Sequence, residues 1–446
     1  MQLDMTKGSP LKLILTFTIP LVLGNLFQQL YSMADAIIVG NYLGNDALAA
    51  VGATGTINFF FLGFVQGITA GFTVLVSQRY GAKDYEAMKK SIGNAIILSI
   101  YVVLIVTAVS VYFMRDLLEV MNTPADIFEQ SYIYILIIYS GIFVTVIYNL
   151  SSGFLRAIGN SRAPLYFLIF AVLVNIVLDI VFIAGVGMGV EGAAYATVIS
   201  QALSGVLCII YIIKKVPLLH INRGHLRRDK GIRRIQLRIG LPMALQFSIT
   251  AIGALIIQAV LNLFGSTAIA AYTAAVKVEQ LATLPLNGVG VAIATYTAQN
   301  KGANKLDRVR KGVASSIKLI AGYSVASAAV VLIATPYLLR LFIKEDFDIV
   351  LPYAAQYMNV IVGFFFPLGL IFIYRNAMQG AGYTFLPTFG GVIELVSRCV
   401  VAAIAANTMS FMGVCFANSF TWFITAVFLG ISYYVLMGKA KKKNLI

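Results

Sequence analysis

Long apolar runs separated by short polar loops set the pattern of this chain. Twelve runs stand out: Leu11 to Val39, Ile57 to Val76, Ile92 to Met114, Ile127 to Leu150, Ala163 to Ala184, Gly192 to Ile213, Ile239 to Phe264, Ala270 to Ala298, Gly312 to Ala334, Ile349 to Tyr374, Phe385 to Ala406 and Met412 to Leu436. At roughly 20 to 28 residues each and 1.5 Å of rise per residue, they match a hydrocarbon core of about 30 Å. A soluble bundle would show a polar face every second turn, whereas Ile92 to Met114 carries no formal charge. The pattern predicts an all-α integral membrane protein with twelve transmembrane helices. The first run continues too far, and carries Asp35, to read as a cleavable signal peptide.

The pattern also repeats. The stretch from Pro20 to Ala82 has a second copy beginning at Pro242. Gly44, Ala47, Ala49 and Ala50 answer Gly265, Ala268, Ala270 and Ala271, and Gln78, Gly81 and Ala82 answer Gln299, Gly302 and Ala303 at the same offset. A repeat of nearly half the chain predicts two six-helix lobes, 1-213 and 239-446, joined by a basic linker, 214-238.

Composition and charge agree. Of 446 residues, 59% are hydrophobic and 11% charged, less than half the charged share of an ordinary soluble domain. Most of the 33 Lys and Arg residues fall in alternate loops, counting Arg375 as a loop residue, while the other side holds Arg115, Arg340 and Lys344. That asymmetry predicts both termini in the cytoplasm of a multi-pass cell-membrane protein. It assigns the net charge of +15 to anionic lipid headgroups, with no nucleic-acid partner. The second part of the linker reads as a short interfacial helix, with Ile232, Ile235 and Ile239 toward lipid and Arg227, Arg228, Arg233 and Arg234 toward headgroups. The linker is either a charged tether or a regulatory site involving His220 or His225. Cys208, Cys399 and Cys415 lie inside predicted spans and read as buried, reduced thiols. No P-loop pattern, zinc spacing, HExxH or Ser/His pair is present, so the chain reads as neither an ATP-driven machine nor an enzyme, and no cofactor is expected.

Candidate chemistry is therefore the charge left inside the spans: Asp35, Asp179, Glu279, Glu394, Lys277, Arg398 and the more peripheral Lys318. An ion near the bilayer centre costs at least about 2.5 to 3.5 kcal/mol unless it has a partner, a proton or a wet cavity. Asp35 ends a polar stripe of Asn25, Gln28, Gln29 and Ser32 at spacings of three and four, and Asp179 has Asn175 one turn before it. If the first and fifth helices meet, the two carboxyls can share one proton or one small cation. The alternative is a pair of protonated acids used for packing. Glu279 is either a counter-charge for a cationic substrate or bonded to a Lys or Arg elsewhere. Lys277, two positions away, points to another face. Glu394 and Arg398, four apart, can close a structural ion pair. Aromatics such as Tyr139 can line a cavity or simply pack.

The half-sequence quoted above, with FLRAIGNSRAP at Phe154 to Pro164 and GVEGAAYATVISQ at Gly189 to Gln201, resembles the multidrug and toxic compound extrusion (MATE) family over essentially the whole chain. The resemblance implies two lobes related by a pseudo-twofold axis normal to the membrane, and efflux of small, cationic or amphipathic organic compounds by alternating access, driven by inward H+ or Na+. It implies a coupling-ion site at Asp35, Asn175, Asp179 and Thr197, and a substrate cavity at Glu279, Gln28, Tyr31 and Tyr139. Pro20 is implied as a conformational hinge, and a monomer is expected. Family branches with sodium-binding acids on the seventh and tenth helices are not matched; the acid on the eighth helix is similar to the MepA-like and DinF-like branches. By the repeat offset Asp35 falls on Ile256, so coupling is expected in the N-terminal lobe alone. The alternative reading is a lipid-linked oligosaccharide flippase of the same superfamily, which would need more cations facing a pyrophosphate.

Overall fold

In the computed structural model, residues 2–342 and 347–442 are described. Lys344, used above for orientation, lies outside them. Among the described residues every regular element is helical. Helix α1 spans Pro10–Leu43, and α2 (Asn45–Ala53) leads into α3 (Gly55–Gly81) and α4 (Tyr85–Tyr112). The short α5 (Met114–Val120) precedes α6 (Ala125–Ser140), α7 (Ile142–Ala157), α8 (Arg162–Asp179) and α9 (Val190–Lys215). The second series is α10 (Lys230–Leu261), α11 (Gly265–Gly302), α12 (Leu306–Phe342), α13 (Phe347–Ile361), α14 (Phe365–Gly380), α15 (Phe385–Asn407) and α16 (Phe411–Lys442). Among the described residues eleven segments are long and apolar enough to cross a membrane, or twelve with the bent pair α6 and α7, at 45° to one another, counted as one span. All three cysteines are free.

The chain forms two compact units. The first comprises Met1–Asp4 and Ile19–Ser248, the second Met5–Thr18 and Ile249–Ile446. Each half of the repeat builds the same local packing: α3 against α4 and α7, α9 against α7 and α8 in the first unit; α11 against α12 and α14, α16 against α14 and α15 in the second. The backbone repeats too. Gly44 and Gly265 share φ near +87° and +82° with ψ of −176° and 173°, a conformation essentially reserved for glycine. Lys83 and Asn304, at the same offset, both have positive φ, 58° and 56°.

The core of the first unit gathers Val65, Phe72, Met88, Tyr139, Leu155 and Cys208, all buried. The start of α10 packs onto α3 in this unit through glycine. A Cβ on Gly71 would stand 2.3 Å from Gly240 Cα, and one on Gly67 would stand 2.7 Å from Ala244 Cα.

The linker is ordered against α4. Asn222 caps a 3-10 turn, Arg223–Leu226, by accepting from the His225 backbone N–H, while His225 Nδ1 accepts from the Asn222 N–H. The neutral imidazole therefore carries its proton on Nε2, 3.1 Å from both Glu86 carboxylate oxygens. Asn94 donates to Arg227 O and accepts from the Asp229 N–H and Arg233 Nε. Asp229 then caps α10 by accepting from Ile232 N. In place of a separate interfacial helix, residues 230–238 form the opening turns of α10, which runs through Pro242 unbroken. Ile239 is buried, because this segment packs onto protein. In the second unit, residues ahead of α1 are held the same way. Asn300 and Arg308 donate to Met5 O, Lys305 to Thr6 O, and Arg308 to Gly8 O.

Candidate functional site

Helices α1, α8, α9 and α6 of the first unit bring one polar cluster together in an apolar surround. Asp35, Asn175, Asp179 and Thr197 are all buried, Asp179 completely. The carboxyl groups of Asp35 and Asp179 are close enough to act on each other electrostatically. Asn175 sits one turn before Asp179 on the same face of α8. A hydrogen bond of 2.6 Å joins the Tyr31 hydroxyl to Thr197 Oγ1, and Tyr31 and Tyr134 both stand close to the two carboxylates. Tyr31, expected in the substrate cavity, is thus part of this cluster.

Local folding explains where Asp179 points. The α-helical pattern stops at this residue, and Ile180–Gly185 continues as a π-helical turn, with Val186 N–H donating to Val181 O at 2.9 Å. Such a turn inserts one residue per turn and occurs mostly where function needs a side chain re-aimed.

Unsatisfied atoms mark the same place. Asp35 Oδ1, both Asp179 carboxylate oxygens, and both Asn175 side-chain polar atoms are buried with no hydrogen-bond partner. Buried polar atoms are paired in nine cases of ten or more, so five orphans on three neighbouring side chains make this cluster a candidate site. Oxygen donors of this kind suit a proton or a hard monovalent cation. Among the described residues no cluster of three or more His, Cys, Asp or Glu side chains offers a transition-metal site.

The second unit holds a different network. Tyr357 donates to Glu279 Oε2 at 2.5 Å, Asn418 donates to the Tyr272 and Tyr357 hydroxyls, and Tyr272 and Tyr357 meet edge to face. Arg398 lies near Glu279 and Tyr272 and reaches Glu394 at 3.4 Å, while Arg375 holds the other Glu394 oxygen at 2.8 Å. The Glu394–Arg398 ion pair thus forms as the spacing predicts. Arg375 corrects the sequence reading: it is not a loop cation but a buried residue of α14, one turn before the end of that helix. Sequence reasoning missed Tyr357 and Tyr272 as well, because a tyrosine in an apolar run reads as packing.

The other expected cavity residues divide. Gln28 is exposed on α1. Glu279 is buried and accepts from Tyr357 inside its own unit, a partner that neither of its two expected roles named. Tyr139 is fully buried against Phe61 with its hydroxyl unpaired, and lines no open surface. Pro20 is buried within a continuous α1.

Comparison with known proteins decides the family. The MatE model matches residues 20–181 and again 242–404, the two halves of the internal repeat. The chain belongs to the MatE family. The probable multidrug resistance protein YpnP of Bacillus subtilis (strain 168) is 30% identical over 381 residues, covering 85% of this chain and 84% of its own. YoeA, a probable multidrug resistance protein of the same organism, is 28% identical over 392 residues, covering 86% and 84%. Among solved structures, an outward-facing multidrug resistance MATE transporter of the MOP superfamily superposes with a TM-score of 0.93 at 23% identity, covering 98% of each chain. This MATE protein is therefore a multi-pass membrane transporter of a multidrug efflux family, not an enzyme.

Proposed function

We propose that the protein is a secondary active exporter that exchanges cationic or amphipathic organic compounds for inward-moving H+, with Na+ as the other ion that the same ligands could take. It would work as a monomer in the cytoplasmic membrane, with both termini inside. The observation that carries this reading is the Asp35–Asp179 pair with its unpaired buried oxygens. Two bare carboxylates side by side in an apolar site repel each other, and a single cation between them relieves the repulsion and lowers the buried net charge from −2 to −1.

The cycle follows from that balance. An ion arriving from outside bridges the pair and cancels one of its two charges, which lets α1 and α8 approach; losing it to the cytoplasm restores the repulsion. Pro20 removes one backbone hydrogen bond from α1, so bending there costs less than elsewhere along the helix. Each charge carried down 100 mV supplies about 2.3 kcal/mol, nearly fiftyfold in concentration, before a pH gradient is added. The flippase alternative would need several cations facing a pyrophosphate, and Arg398 and Arg375 both share the counter-charge of Glu394, which leaves Lys277 as the exposed candidate.

The test is uptake of a fluorescent organic cation into proteoliposomes with the H+ and Na+ gradients imposed separately. Uptake driven by the H+ gradient, and lost in Asp35→Asn, is expected. Uptake that needs neither gradient, or survives Asp35→Asn unchanged, removes the proposal.

A further inference from the structure

The linker crosses α4 at a single residue. Asn94, buried in α4, donates to Arg227 O and accepts from the Asp229 N–H and from Arg233 Nε, so the segment 227–233 is laid across this helix at a fixed height. From Asn94 to Tyr112, the last residue of α4, the helix runs eighteen residues further, about 27 Å, close to the thickness of a hydrocarbon core. The crossing therefore lies at the level of lipid headgroups.

Cations gather at that height. Arg227, Arg228, Lys230 and Arg234 are exposed, Arg233 is half-buried, and Lys90 is exposed one turn before Asn94 on the same face of α4. The nearby acids are engaged locally: Asp229 caps α10, and Glu86 receives the His225 Nε2. The Arg228 guanidinium stands 5.9 Å from the centre of the Tyr101 ring, and Tyr101 lies two turns beyond Asn94 on the same face. Arg233, having given its Nε to Asn94, keeps a buried Nη2 with no acceptor. Further into the span this face turns apolar and stays open. Tyr101 is 39% exposed, Leu104 and Ile105 62% each.

We propose that this crossing is a binding site for one anionic phospholipid of the phosphatidylglycerol kind. Its phosphate lies against Arg228 and Arg233 with Lys90 alongside, and its acyl chains run along Tyr101, Leu104 and Ile105. Charge and shape select this occupant together. A guanidinium offers phosphate two parallel donors, and an incoming phosphate oxygen supplies the acceptor that Arg233 lacks. A zwitterionic lipid would bring its own cation against a surface that is already positive, and a soluble anion would leave the apolar face bare. The whole site belongs to the first unit, and it stands independently of the exporter reading.

The experiment is native mass spectrometry of the purified full-length protein, with dioleoylphosphatidylglycerol and dioleoylphosphatidylcholine supplied at equal concentration. Wild type is expected to retain the first phosphatidylglycerol at least roughly tenfold more strongly than phosphatidylcholine, since each surface cation near an anionic lipid contributes about fivefold. Arg228→Gln, a change at an exposed side chain, should lower that preference about fivefold. Arg228→Lys, which keeps the charge and loses the fork, should fall between the two. The double variant Lys214→Gln, Lys215→Gln removes two exposed cations at the end of α9 and should leave the preference intact. No preference in wild type overturns the proposal. So does a loss in the double variant as large as that in Arg228→Gln, which would mean diffuse surface charge in place of a site. Displacement of the lipid by an excess of inorganic phosphate overturns it as well, because the acyl chains would then contribute nothing. Transport does not enter this measurement, so its outcome leaves the exporter reading to its own test.

Discussion

Asp35 on α1 and Asp179 on α8 bring their carboxyl groups together in a buried site where neither Asp179 oxygen has a hydrogen-bond partner. Neutralising either acid should uncouple transport. Asp35→Asn and Asp179→Asn are each expected to cut gradient-driven uptake at least about tenfold, equivalent to about 1.4 kcal/mol, while binding of an organic cation in the absence of a gradient persists. Uptake within twofold of wild type in both variants would count against the pair as the coupling site.

The Tyr31–Thr197 hydrogen bond ties α1 to α9 beside that pair. Removing it should cost about 1 kcal/mol, or roughly fivefold. Tyr31→Phe and Thr197→Val are expected to raise the ion concentration needed for half-maximal uptake by that factor with little change in the maximal rate. A fall in maximal rate with unchanged ion dependence would show that the bond serves another step.

Arg375 and Arg398 divide the two oxygens of Glu394 between them. Arg375→Met leaves Glu394 paired with Arg398 alone and one buried carboxylate oxygen without its donor, so it should destabilise the protein by about 1 to 3 kcal/mol. Thermal unfolding of the purified protein reads this as a fall in Tm, and Glu394→Gln, which removes the counter-charge of both guanidinium groups, should lower it more. An unchanged Tm in the single variant contradicts the assignment.

Asn94 makes three hydrogen bonds to the segment that leads into α10. Asn94→Ala should loosen that segment by about 1 to 3 kcal/mol. Limited trypsin digestion of the detergent-solubilised protein is the readout, with cleavage at Arg227 and Arg228 expected to accelerate several-fold. Wild-type cleavage rates would mean that the linker is held by other contacts.

The spans and the repeat were legible because both rest on patterns spread over many residues, and no local choice can hide them. The acids Asp35 and Asp179 were legible for a related reason: a carboxylate in an apolar run has no cheap explanation. What escaped was decided by tertiary neighbours. The π-helical turn after Asp179 leaves no mark in IVFIAG, and Tyr357 looks like any other aromatic until Glu279 is placed beside it. Arg375 reads as a loop residue because the apolar run stops one residue before it, while α14 continues to Gly380. Glu279 and Lys277 could not be told apart from sequence, since burial of one and exposure of the other depends on which face of α11 meets α13.

The chain passes from one compact unit to the other inside α1, between Thr18 and Ile19, and inside α10, between Ser248 and Ile249. During synthesis, then, the earlier unit cannot close when its sixth span emerges from the ribosome. It must wait for the opening turns of α10, which supply Gly240 and Ala244 to the contact with α3. Met5–Thr18, made almost first, wait longer still, for α11 and α12 to be translated and inserted before their backbone carbonyls find Asn300 and Arg308. A fragment cut at the end of α9 would therefore be an unfinished assembly, carrying a piece that belongs elsewhere and lacking one of its own.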